Sequence, residues 1–235
     1  MSKRGGIGSW ITMLGGLSGA AVAYAFVLRP WHLRWGATKE EVAQSLPGDE
    51  LIPAARLNAT HAITIYAPVE SIWPWLVQIG QGRGGFYSYD WLENLLGLKI
   101  HSARRILPQH QQLEVGDMIP LAPGKEGKSF GIPVAILEPK QALVLHGDTR
   151  LDPAAQQMAV AGGFLATTWG WYLQALDHRR TRLVERFRCD WNPSPLNQLL
   201  MRVVMEPGSF IMERRMLLGI KERAEQRAAG YIELD

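Results

Sequence analysis

The chain has 235 residues, nearly half of them apolar, with a net charge of +3, nine tryptophans and a single cysteine, Cys189. That length holds one sizeable domain plus an appendage, and the apolar fraction suffices for its core. Basic residues are scattered apart from Arg179-Arg180 and Arg214-Arg215, which excludes a nucleic-acid stripe, and one cysteine excludes an intrachain disulfide framework or a Cys-based zinc site.

Residues 5–28 carry no charge. As a helix they span roughly 36 Å, enough to cross a bilayer core of about 30 Å. Lys3 and Arg4 precede the run, and Arg29, His32 and Arg34 follow it. Trp10, Tyr24 and Trp31 stand near its two ends, where interfacial aromatics belong. The expectation is a single-pass membrane anchor over 1–28, with the side of the soluble part left open. A cleaved signal peptide ending at Ala21-Val22-Ala23 is the competitor, and the apolar run continuing to Leu28 speaks against it. Gly15, Gly19 and Ala23 form a small-residue stripe through which two copies could pack as a homo-oligomer.

Residues 29–57 read as a linker. Thr38 with Glu41 predicts a capping box on a short helix ending at Ala43, and Pro47-Gly48-Asp49 predicts a turn. The folded domain is expected over 58–230. It opens with a strand at 59–66, stopped by Pro68. Val69, Ile72, Trp73, Leu76 and Ile79 then recur at helical spacing, with Pro68 suited to the first turn and Pro74 marking a kink.

Residues 80–91 pack four glycines, an arginine and four aromatics into twelve positions, and they match G-x-G-x-x-G. A dinucleotide site requires a strand before the glycines, because the pyrophosphate rests on the strand-to-helix turn. A helix precedes them here, and no acidic residue follows at the required distance. The stretch is therefore a joint between two helices, the second running from 87 to 96. No cofactor is called for.

Strands are expected at 100–106, 117–121, 134–138, 142–146, 167–176 and 182–191. The last two form a hairpin about Asp177-His178-Arg179-Arg180. Trp169, Trp171 and Leu173 share one face of the first arm. In the second arm Leu183, Glu185, Phe187, Cys189 and Trp191 oppose Arg182, Arg186, Arg188 and Asp190. Ser194-Pro195 signals a helix start. That helix runs to Met205, breaks at Pro207-Gly208 and resumes from Ser209 to Ala229, with Phe210, Leu217, Ile220 and Ala224 on one stripe.

Antiparallel strands with segregated helices define an α+β domain. The strand, two helices, strands, long helix order resembles the helix-grip fold of the START-related SRPBCC superfamily, which includes polyketide cyclase/dehydratase-like proteins. Arg29-Pro30-Trp31-His32-Leu33-Arg34-Trp35-Gly36-Ala37-Thr38, residues 80–91, and Glu206-Pro207-Gly208 with Met212-Glu213-Arg214 and Gly219-Ile220-Lys221-Glu222-Arg223 look like a bacterial branch of it. The resemblance implies a curved antiparallel sheet gripping the C-terminal helix around an apolar cavity. One scaffold serves lipid carriers, receptors and enzymes in that superfamily, so fold does not set function.

Glu185 is the candidate acid or base, since the hairpin pattern turns it inward between Leu183 and Phe187. The plain alternative is a salt bridge to Arg214 or Arg215. Arg83, Tyr87, Tyr89 and Trp91 are candidates for a ligand's polar end at the cavity mouth. Trp169, Trp171, Phe187, Met212 and Met216 are candidates for the cavity wall, or for plain core. The six histidines show no metal-ligand spacing, so no metal is expected. The leading expectation is a membrane-tethered domain binding a small hydrophobic or amphipathic ligand, such as a lipid, isoprenoid or aromatic polyketide-like molecule. A cyclase or dehydratase using Glu185, and an interaction module with a filled core, are the alternatives.

Overall fold

In the computed structural model, which describes residues 22–124, 129–151 and 163–230, six strands form one antiparallel sheet in the order β1-β6-β5-β4-β3-β2. They are β1 (Leu57–Ile65), β2 (Met118–Pro123), β3 (Ser129–Glu138), β4 (Ala142–Asp148), β5 (Leu165–Ala175) and β6 (Thr181–Trp191). The helices are α1 (Arg29–His32), α2 (Lys39–Ala43), α3 (Val69–Val77), α4 (Asp90–Leu95), α5 (Pro195–Leu200) and α6 (Glu206–Ala228). The strand order and the long last helix are those of the helix-grip fold.

β5 and β6 pair along eleven residues and turn at the predicted place. There the Asp177 carboxylate accepts from the backbone N–H of Arg179 and from Nε of Arg180. α6, α3 and the loop between α3 and α4 cover one face of the sheet. Ile65, Ile72, Trp75, Leu76, Trp171, Leu183, Leu217 and Ile220 bury themselves fully there. Each such aliphatic side chain contributes about 1.5–3 kcal/mol.

The opposite face is covered too, by residues read above as linker. Thr38 and Glu41 make the expected capping box on α2. From this strap Glu41 pairs with Arg182 at 2.7 Å, and Asp49 pairs with Arg186 at 2.6 Å and Arg188 at 3.2 Å. Arg186 also donates to the carbonyls of Glu41, Val42 and Gln44. Of the sheet's arginines, which alternation places outside, Arg186 is thereby buried and Arg182 and Arg188 are half-buried. The strap closes the β1 border as well: Thr60 donates to the Leu33 carbonyl and Ala62 to the Trp35 carbonyl. At the other border Pro120 and Pro123 lie in β2, and the Pro120 carbonyl accepts from Gln81.

Two elements differ from expectation. Residues 100–106 form a loop, because side chains take the backbone groups that a strand would pair. Asn94 holds both N–H and C=O of Ile100, and Asp90 holds the N–H and hydroxyl of Ser102. At Pro207 the chain does not break. Residues Met201–Met205 form a wide π-type turn that runs from α5 into α6. The wider π-type spacing just before Pro207 accommodates the N–H that the proline lacks without ending the helix.

The expected membrane anchor lies largely outside the described residues. Among the described residues, no helix is long and apolar enough to cross a membrane. Its described end is helical from Val22 and runs through a π-type turn, Tyr24–Leu28, into α1. There the Tyr24 hydroxyl donates to the Arg202 carbonyl, and Arg29 holds buried Glu206 bidentately at 2.7 and 3.0 Å.

Candidate functional site

β1 and β6 are in a register that sets His61 directly opposite Glu185, flanked by Ile63 opposite Leu183 and Ala59 opposite Phe187. All six side chains belong to the face that α6 crosses. From α6 comes Glu213, on the same stripe as Phe210, Leu217, Ile220 and Ala224. His61, Glu185 and Glu213 are 1%, 0% and 6% exposed. Three ionisable groups thus meet in the apolar interior.

The hydrogen bonds fix the histidine. Nε2 of His61 lies 2.8 Å from the His32 carbonyl, which only accepts, so Nε2 carries a proton. Nδ1 faces Glu185 Oε2 at 3.0 Å and Glu213 Oε2 at 3.3 Å. The other Glu185 oxygen accepts from the Trp169 indole N–H at 2.6 Å. Glu213 receives no hydrogen bond from any described residue. Burial disfavours the charged His61 ring, but the hydrogen bond and charge of Glu185, with Glu213 beyond it, outweigh that and raise its pKa. Burial, reinforced by the Glu185 charge and opposed by His61, pushes the Glu213 carboxyl up.

Phe210 roofs the cluster, with its ring centroid 5.5 Å from those of His61 and Trp31, 5.4 Å from His32 and 6.4 Å from Trp35. Beneath it runs a narrow cleft lined by His32, Leu33, Ala59, His61, Glu206 and Glu213, among others. It is too narrow for a water molecule in this conformation. The open apolar cavity implied by the resemblance is filled among the described residues, chiefly by Trp75, Trp171, Leu217 and Ile220. His32 is buried, and its Nδ1 has no hydrogen-bond partner.

The structure brings Glu185 and Trp169 together at this centre. The Glu185 partner is His61 rather than Arg214 or Arg215; Arg214 stacks over Trp35 and Arg215 pairs with Glu222. The loop candidates engage the loop itself. Arg83 donates to the carbonyls of Val77, Ile79 and His110. Tyr87 is buried and donates its hydroxyl to the Trp75 carbonyl. Trp91 is 67% exposed and stacks edge-on against Tyr89 at the surface. Trp171 and Met216 are fully buried in the main core, and Met212 is half-buried on α6. Phe187 packs against a smaller cluster of Leu57, Cys189, Trp191 and Met201.

His61, Glu213 and His32 were not anticipated. Two of them left a signal: His61 alternates in step with Ala59 and Ile63, and Glu213 interrupts an apolar helical stripe. The carbonyl contact from His32 joins residues far apart in the chain and leaves none.

No family model and no curated protein matches the chain. Solved structures similar to it include a conserved protein from Geobacillus kaustophilus (13% identity, 72% of this chain and 96% of that one, TM-score 0.41). A hypothetical protein from Helicobacter pylori is similar at 11% identity over 80% of this chain and 99% of that one, TM-score 0.44. The Zhui aromatase/cyclase from Streptomyces sp. R1128 is similar at 15% identity over 74% and 98%, TM-score 0.36. At such scores these likenesses carry no argument about activity, and the helix-grip architecture stands on this chain's own strand order and long C-terminal helix.

Proposed function

We propose that this chain is a membrane-tethered helix-grip domain that binds a small amphipathic ligand in the cleft beneath Phe210. The observation that supports this best is the buried His61–Glu185–Glu213 centre at the floor of that cleft. Burying charge costs several kcal/mol per ion, and an apolar replacement of equal volume is often no less stable. A centre with that cost, one of its carboxylates without a hydrogen bond from any described residue, is more readily understood as a polar contact for a ligand than as a stabilising device. The ligand's polar end meets Glu213 and His61, and its apolar part takes the place of the Phe210 ring, which must swing aside for entry.

Tethering is supported by the uncharged run over 5–28 and by an apolar surface that continues it. Phe26, Val27, Leu28 and Trp31 are exposed beside α5 and the wide turn, where Leu199, Val203, Val204 and Met205 are exposed as well. The Tyr24–Arg202 and Arg29–Glu206 contacts bind these two segments together. Patches of this kind mark interaction or membrane surfaces.

Native mass spectrometry of the full chain, purified from its own host in mild detergent, tests the ligand. A co-purifying small molecule of constant mass, lost from Glu213→Gln, is expected. Repeated absence from folded protein overturns the carrier reading. A second reading, an acid–base enzyme, draws on His61 linking two carboxylates in one proton-sharing network.

A further inference from the structure

We propose that His61, Glu185 and Glu213 bind a divalent transition-metal cation of the zinc class through the imidazole Nδ1 and one oxygen of each carboxylate. The proposal names a ligand for the floor of the cleft, and it rests on reading that cleft as a binding site.

The geometry is that of a ligand set. The three donor atoms all lie within 4.8 Å of one another, and the group is fully buried. Metal–ligand bonds of about 2.1 Å hold neighbouring ligands roughly 3.0–3.4 Å apart. Nδ1 stands 3.0 Å from the Glu185 oxygen and 3.3 Å from the Glu213 oxygen.

The partners beyond the three are those that metal ligands need. The His32 carbonyl takes the proton of His61 Nε2, so Nδ1, on giving up its own proton, is the nitrogen that can bind a cation between the two carboxylates. The Trp169 indole N–H occupies the second Glu185 oxygen and orients the first.

Without a cation the hydrogen bonds of the centre fall unevenly on its two carboxyl groups. A single Nδ1–H faces two carboxylates, and Glu213 receives no other hydrogen bond from the described residues. A cation would satisfy both oxygens and Nδ1 together. An independent observation lies in the same cleft, where buried His32 lines the wall with an Nδ1 that has no partner. One imidazole with two carboxylates suits zinc, manganese or ferrous iron rather than calcium, which takes an all-oxygen shell, or copper(I), which takes thiolates. Binding exchanges the Nδ1 proton for the metal, so the proton is released to solvent.

The test uses the full chain in detergent, stripped with a chelator and titrated with cobalt(II) as the spectroscopic probe. One equivalent is expected to bind, with visible d–d bands that zinc abolishes by displacement. Glu213→Gln should weaken binding by at least about 100-fold, and Trp169→Phe, a positioning change, by about 10- to 100-fold with a shifted spectrum. Far-UV circular dichroism establishes that each variant is folded, and Trp169→Phe serves if Glu213→Gln is not. Folded wild-type protein that takes up no cobalt overturns the proposal, as does unchanged binding in both variants. A co-purifying organic ligand without cobalt binding removes the metal alone. Cobalt binding without an organic ligand supports the metal and removes the amphipathic ligand.

Discussion

Glu185 is held from two sides, by His61 through one oxygen and by Trp169 through the other. Removing its charge strands the His61 ring, whose Nε2 remains tied to the His32 carbonyl. Glu185→Gln should therefore cost about 3–5 kcal/mol of stability, as expected for breaking a buried pair. Glu213→Gln breaks no hydrogen bond to another described residue and should cost distinctly less. Urea denaturation of the two variants measures the ranking, and equal costs would overturn it. The inward position of Glu185 was legible from strand alternation alone, because a two-residue period leaves it no other face. Its partner was not, because the register between strands whose paired residues lie 124 positions apart is not written in local sequence. Glu213 stood in plain view on an apolar stripe, but a stripe can be read for its apolar members and its single carboxylate overlooked.

At the scale of elements, the loop from Gly80 to Trp91 is a joint between α3 and α4, as the helical spacing before its glycines requires. α6 packs directly on that joint at Gly219, where an added Cβ would stand 2.1 Å from the Tyr87 carbonyl oxygen. In a free helix Gly→Ala stabilises by up to about 1 kcal/mol. Here overpacking should prevail, so that Gly219→Ala destabilises by about 1–3 kcal/mol. Differential scanning calorimetry decides the sign: a raised Tm would mean that the loop yields to α6. The hairpin, both side-chain caps at Thr38 and Ser194, and the long helix were all readable, since each rests on contacts within a few residues. Residues 100–106 and the wide turn were not. In the first, Asn94 and Asp90 outbid a neighbouring strand for the backbone. In the second, a π-type turn absorbs the proline that would otherwise end a helix.

For the whole molecule, the strap over residues 33–53 makes the sheet a buried layer between α6 on one side and a charged coat on the other. Arg182, Arg186 and Arg188 look like solvated positions in sequence, and only the fold reveals that acidic residues of the strap cover them. The strap leads directly from the helical segment that ends at His32. Removing residues 1–21, which leaves Tyr24 and Arg29 on their partners, should move the protein from the membrane pellet to the supernatant on fractionation. Full-length protein already in the supernatant would overturn the tether.

The two borders of the sheet carry a consequence for behaviour in a crowd. Molecules at high concentration meet often, and an open strand border is a template on which one chain can extend another's sheet. β1 gives the amides of Thr60 and Ala62 to the strap, and β2 carries prolines and has its Pro120 carbonyl already taken. Among the described residues, these contacts leave both borders poorly suited to extending another chain's sheet, so neighbouring copies are hindered from growing into fibrils.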